Sequence, residues 1–215
     1  MLIDLHTHSY PRSDDSFMSV DELIEAAKAR GLDGVCLTEH DAFWSEEEIR
    51  TLSRRHSFLV LGGAELNTDP GHVLVFGLDR YEFGMHKPAF LRAKVDQVKG
   101  VIISAHPYRR RFLPEAVGGL EALRGMLDRA AEDPFFCVCD AVEGVNGRGK
   151  PAENLFSQDL ASRLNLHASG GSDAHRLEQM GSAATRFQKK IGNLEDLILE
   201  LRMGRFEAVV LEGVL

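Results

Sequence analysis

Histidine, aspartate and glutamate recur in six short motifs of this 215-residue chain, at spacings that suit metal coordination. The first motif is Asp4-Leu-His6-Thr-His8, at the end of an apolar N-terminal run. Residues two apart in a strand point to the same face, so the imidazoles of His6 and His8 are expected to project together. Two neighbouring neutral imidazoles supply half of a transition-metal site.

The other five motifs carry further possible ligands. They are Thr38-Glu39-His40-Asp41, Gly62-Gly63-Ala64-Glu65, Gly71-His72-Val73, Ser104-Ala105-His106-Pro107 and Gly170-Gly171-Ser172-Asp173-Ala174-His175. Taken singly, each has a plainer explanation as a turn, a helix cap or a solvated side chain. Five of the six motifs, however, end predicted strands, and a parallel barrel collects its strand ends on the face where active sites form. Carboxylates and imidazoles that converge there need a cation to neutralise them. Imidazole and carboxylate ligands without thiolate suit Mn, Zn or Fe.

The elements that position these motifs follow from hydrophobic periodicity. Strands are predicted at residues 1–5, 34–38, 58–65, 73–76, 101–105, 137–145, 167–170 and 206–211. Helix starts are indicated by capping boxes at Ser19 and Ser45, a first-turn proline at Pro88 and an N-cap at Asn193. The alternation is typical of an α/β architecture with parallel strands, and seven or eight strands in a short chain favour a barrel. We expect one compact domain over residues 1–215.

Composition excludes several classes of protein. The chain is 44% hydrophobic, which is too apolar for a disordered protein, and its formal net charge is −8. That acidic balance argues against stable binding of duplex nucleic acid, although it permits a local basic pocket for one phosphate. No apolar run reaches the roughly 18–20 residues that cross a bilayer, and no signal peptide is evident. The cysteines Cys36, Cys137 and Cys139 are interpreted as reduced, which predicts a cytoplasmic protein without a membrane partner.

In combination, the motifs resemble the PHP (polymerase and histidinol phosphatase) family of metal-dependent phosphoesterases, in the right order from His6 to His175. The resemblance implies a distorted (β/α)7 barrel that holds two to three divalent metal ions. Only 33 residues lie between His72 and His106, so no inserted cap subdomain is expected.

The resemblance also implies nine metal ligands. Carried over by position, they are His6, His8, Asp15, His40, Glu65, His72, His106, Asp173 and His175. Glu65 would bridge two of the three metal positions. The family usually has Ser-Asp-Gly five residues after the second histidine, and this sequence departs from that pattern by about two residues. Alignment of the following helix start favours Asp15 over Asp14, and Asp14 stays open.

The chemistry implied is hydrolysis of a phosphomonoester, or of a nucleotide or oligonucleotide phosphate, with a metal-bridging hydroxide as the nucleophile. Its partner would be a small phosphorylated substrate, and the sequence does not indicate an oligomeric state. Arg109, Arg110 and Arg148 follow predicted strand ends, and arginine suits bidentate contact with phosphate. Asp41, beside a ligand, is a candidate to orient an imidazole or to move a proton. Asn146 is a candidate to contact substrate or to hold its own turn.

Two other functions stay open. One is a metallohydrolase of the amidohydrolase kind, which would cleave C–N or C–O bonds. Against it stands the lack of a lysine at a predicted strand end to serve as a carbamylated bridge. The other is a binding module whose metal site performs no reaction. Against it stands the near-complete set of ligands, because degenerate relatives lose theirs.

Overall fold

The computed structural model describes residues 1–109 and 119–211, and these form ten strands and six α-helices. The strands are β1 (Leu2–Thr7), β2 (Gly34–Leu37), β3 (Leu59–Gly62), β4 (Ala64–Asn67), β5 (His72–Phe76), β6 (Val101–Ser104), β7 (Ala141–Asn146), β8 (His167–Gly171), β9 (Ala183–Phe187) and β10 (Phe206–Val210). The helices are α1 (Val20–Ala29), α2 (Glu46–His56), α3 (Pro88–Gln97), α4 (Leu120–Ala131), α5 (Pro151–Arg163) and α6 (Leu194–Arg202). None of these helices is both long and apolar enough to cross a lipid bilayer.

The strands lie in two mixed sheets of five strands, in the orders β10-β9-β1-β2-β3 and β4-β5-β6-β7-β8. Strands β1 to β3 pair in parallel, as do β6 to β8. The pairs β4–β5, β5–β6, β1–β9 and β9–β10 are antiparallel. The α/β class is therefore confirmed. The expected (β/α)7 barrel is not, because no closed ring of strands is found in the described part of the chain. Antiparallel neighbours need no helical crossover, so the regular βα repeat is interrupted.

Four helices begin where their sequence signals place them. The hydroxyls of Ser19 and Ser45 accept from the backbone N–H three residues on, which starts α1 and α2. Asn193 caps α6 in the same way, and Pro88 is the first residue of α3. The local hydrogen bonds of a cap form within one turn, so such signals are legible in the sequence.

Three strand expectations were wrong or incomplete. The strand expected at 58–65 is two strands that separate at Gly63, where pairing passes from β2 to β5. The strand expected at 137–145 begins only at Ala141, because residues 137 and 138 belong to the short 3₁₀-helix Pro134–Val138. The carboxylate of Asp133 caps this helix by accepting from the N–H of Phe135. Strand β9 was not expected at all, since its short sequence has neither strong alternation nor a continuous apolar run.

The core joins the two sheets to each other and to the helices. Ile3 and Leu5 of β1 share an apolar cluster with Leu74 of β5 and Ile103 of β6, so this cluster lies between the sheets. A second cluster packs α3 and α5 on one sheet, and a third packs α1 and α2 on the other. These clusters join the two sheets to each other and pack the helices against them.

The two sheets approach each other closely at Gly170 of β8. Its N–H donates to the hydroxyl of Thr185 of β9 at 2.9 Å, and that hydroxyl donates to the carbonyl of Gly170 at 2.8 Å. A Cβ atom at Gly170 would lie 2.4 Å from the carbonyl oxygen of Ala184. Only glycine therefore allows this contact.

We predict that Gly170→Ala lowers the free energy of unfolding by about 1–3 kcal/mol, the usual cost of overpacking. Gly71→Ala is the matched control, because a Cβ atom there meets no heavy atom within 4 Å. Thermal and urea unfolding of both variants would measure the difference. Equal stability of the two variants would contradict the assigned contact.

Candidate metal centre

The carboxylate of Glu65, on β4, lies at the centre of a cluster of histidines and is 1% exposed. Its oxygens face five imidazole nitrogens from four segments of the chain. These are Nε2 of His6 (3.2 Å), Nε2 of His8 (3.2 Å), Nδ1 of His40 (3.1 Å), Nδ1 of His72 (2.8 Å) and Nε2 of His106 (2.9 Å). Five of the histidines singled out in the sequence therefore converge on one carboxylate.

Asp173 is the second carboxylate of the cluster and is buried beside Glu65's histidines. Its nearest imidazole nitrogens belong to His8 at 3.4 Å, His175 at 3.5 Å, His6 at 3.7 Å and His106 at 3.8 Å. It follows β8, so residues from both sheets share the site.

Asp15, on the loop after β1, completes the set. Its carboxylate oxygens lie 3.0 Å from Nε2 of His175 and 3.5 Å from Nε2 of His40. Within the described residues, no comparable contact joins Asp14 to an imidazole of the cluster. The geometry thus favours Asp15 over Asp14.

Several donor atoms of the cluster are buried without a hydrogen-bond partner among the described residues. They are Nε2 of His6, Nε2 of His8 and Oε2 of Glu65. Each of the two imidazole nitrogens lies 3.2 Å from Oε2 of Glu65. Buried polar atoms are rarely left unpaired, so their convergence calls for a cation.

Four groups of three residues each place their ligand atoms within 4.8 Å of one another. The groups are His6–His8–Glu65, His6–His106–Asp173, Glu65–His72–His106 and His8–His40–His175. Imidazole nitrogens and carboxylate oxygens at this spacing suit a divalent transition metal, so the donor set fits such ions.

The pKa values of the cluster are shifted in both directions. Burial alone would lower the pKa of His6, but the carboxylates of Glu143 and Glu65 raise it to about 10, so this imidazole would release a proton on binding a metal. Burial lowers the pKa of His8 well below its usual value. Burial and the neighbouring Arg148 lower the pKa of His175 to about 4. Burial alone would raise the pKa of Glu65, but His6 and hydrogen bonds from His106 hold it well below its usual range. Anionic carboxylate and neutral imidazole are the forms that bind metal.

Glu143, which sequence reasoning did not assign, positions His6. Its Oε1 lies 2.9 Å from Nδ1 of His6, and its Oε2 accepts from the N–H of His106 at 2.8 Å and from Asn146 at 3.0 Å. A Cβ atom on Gly171 would lie 2.5 Å from Cβ of His6 and 2.9 Å from Oε1 of Glu143, so glycine is needed here. Glu143 lies in β7, which was itself expected to carry a site residue near its end. Its position near the end of a predicted strand was the signal in the sequence that could have identified Glu143.

Ser13 and Glu39 perform a similar task for His8. The hydroxyl of Ser13 lies 3.2 Å from Nδ1 of His8, donates to Glu39 at 2.6 Å and accepts from the N–H of His40. Glu39 is fully buried and also accepts from Ser9. The loop after β1 is thereby fixed against the end of β2, which aims both imidazoles.

The arginines singled out in the sequence border the cluster. Arg109 donates to Asp173 and to Oδ1 of Asn146. Arg148 lies 3.0 Å from Nδ1 of His175 and 3.5 Å from Oδ1 of Asp173. Both side chains are partly exposed. Arg110 lies outside the described residues.

Asp41 has a different environment. Its carboxylate accepts from the N–H of Asn67 at 3.0 Å and from the side-chain amide of Asn67 at 2.7 Å. Its own N–H donates to the carbonyl of Glu65. These contacts join the loop after β2 to β4, while a role in proton movement stays a prediction.

Comparisons with known proteins agree with this geometry. The model of the PHP domain family matches residues 4–140, and that of the PHP-associated family matches residues 151–206. No curated protein matches the sequence.

Three solved structures illustrate the similarity in fold. A two-domain protein of Bacteroides vulgatus, containing a predicted PHP-like metal-dependent phosphoesterase, has a TM-score of 0.66 at 17% identity, over 99% of this chain and 65% of that one. An amidohydrolase of Chromobacterium violaceum has a TM-score of 0.58 at 20% identity, over 80% of this chain and 87% of that one. The lesion-specific endonuclease PfuEndoQ of Pyrococcus furiosus has a TM-score of 0.55 at 14% identity, over 96% and 57%. At such identities the likeness extends to the fold alone.

We predict that Asp15→Asn lowers the content of bound divalent metal, because the variant loses a charged oxygen beside His40 and His175. Asp14→Asn is the matched control and should retain the metal content of the wild type. Mass spectrometry of both variants after equilibration with Mn²⁺ would measure this. Equal loss in the two variants would remove Asp15 from the cluster.

For Glu143→Gln we predict about 10- to 100-fold weaker metal binding, the usual effect of removing a carboxylate that orients a ligating histidine. Calorimetric titration with Zn²⁺ would measure the affinity. Glu200→Gln changes another buried glutamate, paired with Arg205 away from the cluster, and should bind as the wild type does. Unchanged affinity in Glu143→Gln would contradict the positioning role.

Proposed function

Because the chain belongs to the PHP domain family, we propose that it is a metal-dependent phosphoesterase that hydrolyses a phosphomonoester or a nucleotide or oligonucleotide phosphate. The observation that carries the proposal is the convergence of five imidazoles on the buried carboxylate of Glu65, with Arg109 and Arg148 at the border of the same cluster. Imidazoles and carboxylates suit cations, whereas arginines suit the oxygens of a phosphate.

The proposed ligands of two to three divalent ions are the nine residues implied by the sequence. They are His6, His8, Asp15, His40, Glu65, His72, His106, Asp173 and His175. Mn, Zn and Fe all suit such donors. When bound, these ions supply a nucleophilic water at neutral pH and offset negative charge on the phosphate.

The side chains around the ions would bind and orient the substrate. The guanidinium groups of Arg109 and Arg148 already contact Asp173, so they lie close enough to the cluster to contact a phosphate held there. Their planar donors would hold two phosphate oxygens and stabilise the charge that grows in the transition state. Glu143 would keep His6 in the orientation and tautomer that bind metal.

Substrate would approach from the side on which the cluster meets solvent. The side chains of His40 and His72 are 26% and 37% exposed, and that of Asp15 is 53% exposed, whereas His6 and His8 are fully buried. The segment between His72 and His106 contains a single α-helix, α3, which packs in the core. We propose on this basis that residues 1–215 form one domain without an inserted cap. Its two sheets would then be a distorted, incompletely closed (β/α)7 barrel.

The amidohydrolase alternative has one observation in its favour, the similarity in fold to an amidohydrolase structure. Such an enzyme would cleave an amide or a carboxylic ester at the same cluster. Within the described residues, no lysine contacts the carboxylates or imidazoles of the cluster, which leaves no candidate for a carbamylated bridge. The alternative therefore ranks second.

We predict that the protein hydrolyses 4-nitrophenyl phosphate or bis(4-nitrophenyl) phosphate when Mn²⁺ is added. His8→Ala should lower kcat/KM more than about 100-fold. Removing a residue that only orients a metal ligand already costs about 10- to 100-fold in metal affinity or activity. His86→Ala changes a histidine outside the cluster and should retain activity. Nitrophenol release and metal content would be measured on the same samples.

The outcomes separate the candidate functions. Preference for the monoester or the diester would divide phosphatase from phosphodiesterase. Metal binding with cleavage of 4-nitrophenyl acetate or an anilide, and of neither phosphate ester, would favour the amidohydrolase alternative. Absence of metal binding would overturn both.

A further inference from the structure

A cleft of about 280 Å³ opens directly beside His72 and His106, and we refer to it as the side cleft. It runs from these two imidazoles across the ends of β5 and β6 to the 3₁₀-helix Pro134–Val138. Its volume is below the roughly 300–1,000 Å³ of sites for drug-sized ligands, so it suits one small group rather than a large molecule. Because His72 and His106 belong both to the cleft lining and to the cluster, a ligand in the cleft would lie next to a phosphate held there.

The side cleft combines polar walls, to which His72, His106, Arg109 and Asp133 contribute, with an aromatic side. Phe135 and Phe136 are buried beneath it, and Tyr108 forms part of its side. Tyr108 is itself held by the ring of Phe156, with 4.4 Å between ring centroids. Aromatic and apolar side chains fixed in this way favour a flat ring over a flexible sugar or a charged chain.

Ser104 contributes a polar atom without a hydrogen-bond partner among residues 1–109 and 119–211. It lines the side cleft and is fully buried, and its hydroxyl makes no hydrogen bond within the described part of the chain. On β6 its neighbours across the sheet are Val73 and Val142, which offer side chains without polar atoms. Because buried hydroxyls are normally hydrogen-bonded, an unpaired one beside a cleft points to a ligand with a polar edge.

Asp133 adds a carboxylate to the same cleft. One of its oxygens accepts from the N–H of Phe135, which fixes the side chain at the start of the 3₁₀-helix. A carboxylate accepts hydrogen bonds only, so it favours a ligand that presents an amino group or a ring N–H. Flat shape, a polar edge and an amino group together describe a nucleobase.

We propose that the side cleft binds the base of a nucleotide substrate, with Ser104 and Asp133 as the residues that recognise its polar edge. This inference rests on the proposed phosphoesterase function, because it places the base beside a phosphate held at the cluster. It selects nucleotides over sugar phosphates and other phosphomonoesters.

The test compares two nucleotides with a phosphate of the same sugar that lacks a base. Adenosine monophosphate, as its 5′ and 3′ isomers, and ribose 5-phosphate would be hydrolysed in Mn²⁺ by the wild type and by Ser104→Ala. We expect the wild type to favour at least one isomer of adenosine monophosphate. The ratio of kcat/KM values should fall about three- to tenfold in Ser104→Ala, as expected for one lost hydrogen bond, mainly through KM.

Ser169→Ala is the matched control, because Ser169 is also a fully buried strand serine with an unpaired hydroxyl but does not line the cleft. It should retain the wild-type ratio. Asp133→Asn keeps an oxygen that can cap the 3₁₀-helix and removes the negative charge, so it should also reduce the ratio. Calorimetric titration of each protein with adenosine measures base binding without hydrolysis.

The results separate failure of this inference from failure of the proposed function. Equal hydrolysis of ribose 5-phosphate and both nucleotides, or equal effects of Ser104→Ala and Ser169→Ala, would overturn base recognition and leave a phosphoesterase. Adenosine binding that depends on Ser104, without hydrolysis of any phosphate ester, would support the cleft and overturn the function. A protein that neither binds adenosine nor hydrolyses any phosphate ester would contradict both proposals.

Discussion

The carboxylate of Glu65 has to lie out of solvent among five imidazoles that come from four separate segments of the chain. A buried carboxylate is costly unless it is paired. Closely packed imidazoles cannot all be in the positively charged form, because they would repel one another. The arrangement is satisfied when divalent cations share the donors. Much of the surrounding structure can be understood as the means of holding these groups together.

Two sets of hydrogen-bonded side chains around the cluster hold the ligands in place. Glu143 fixes His6 and the backbone of His106, while Ser13 and Glu39 fix His8 and the backbone at His40. The contact between Glu143 and His6 joins the two sheets, whereas the contacts of Ser13 and Glu39 join the ends of β1 and β2 within one sheet. Preorganisation of this kind limits the movement needed when metal or substrate binds.

Local features of the fold were accessible from sequence, whereas pairing was not. The caps at Ser19, Ser45 and Asn193 were confirmed, because a cap is completed within one turn of helix. The break at Gly63 and the strand Ala183–Phe187 were missed, because they depend on which distant strand is available as a partner. The separation into two sheets has the same origin, since the hydrophobic pattern of a strand does not state its direction.

The sequence by itself determined which residue types could form the cluster, because side chains two apart on a strand and residues at strand ends follow from backbone geometry. Only the tertiary structure decided that Glu65 is the common partner, that Asp15 rather than Asp14 approaches His40 and His175, and that Asp41 contacts Asn67. It also revealed Glu143 and the side cleft beside Ser104. These features arise where segments far apart in the chain meet, and the distances between such segments are set by packing, which no local pattern encodes.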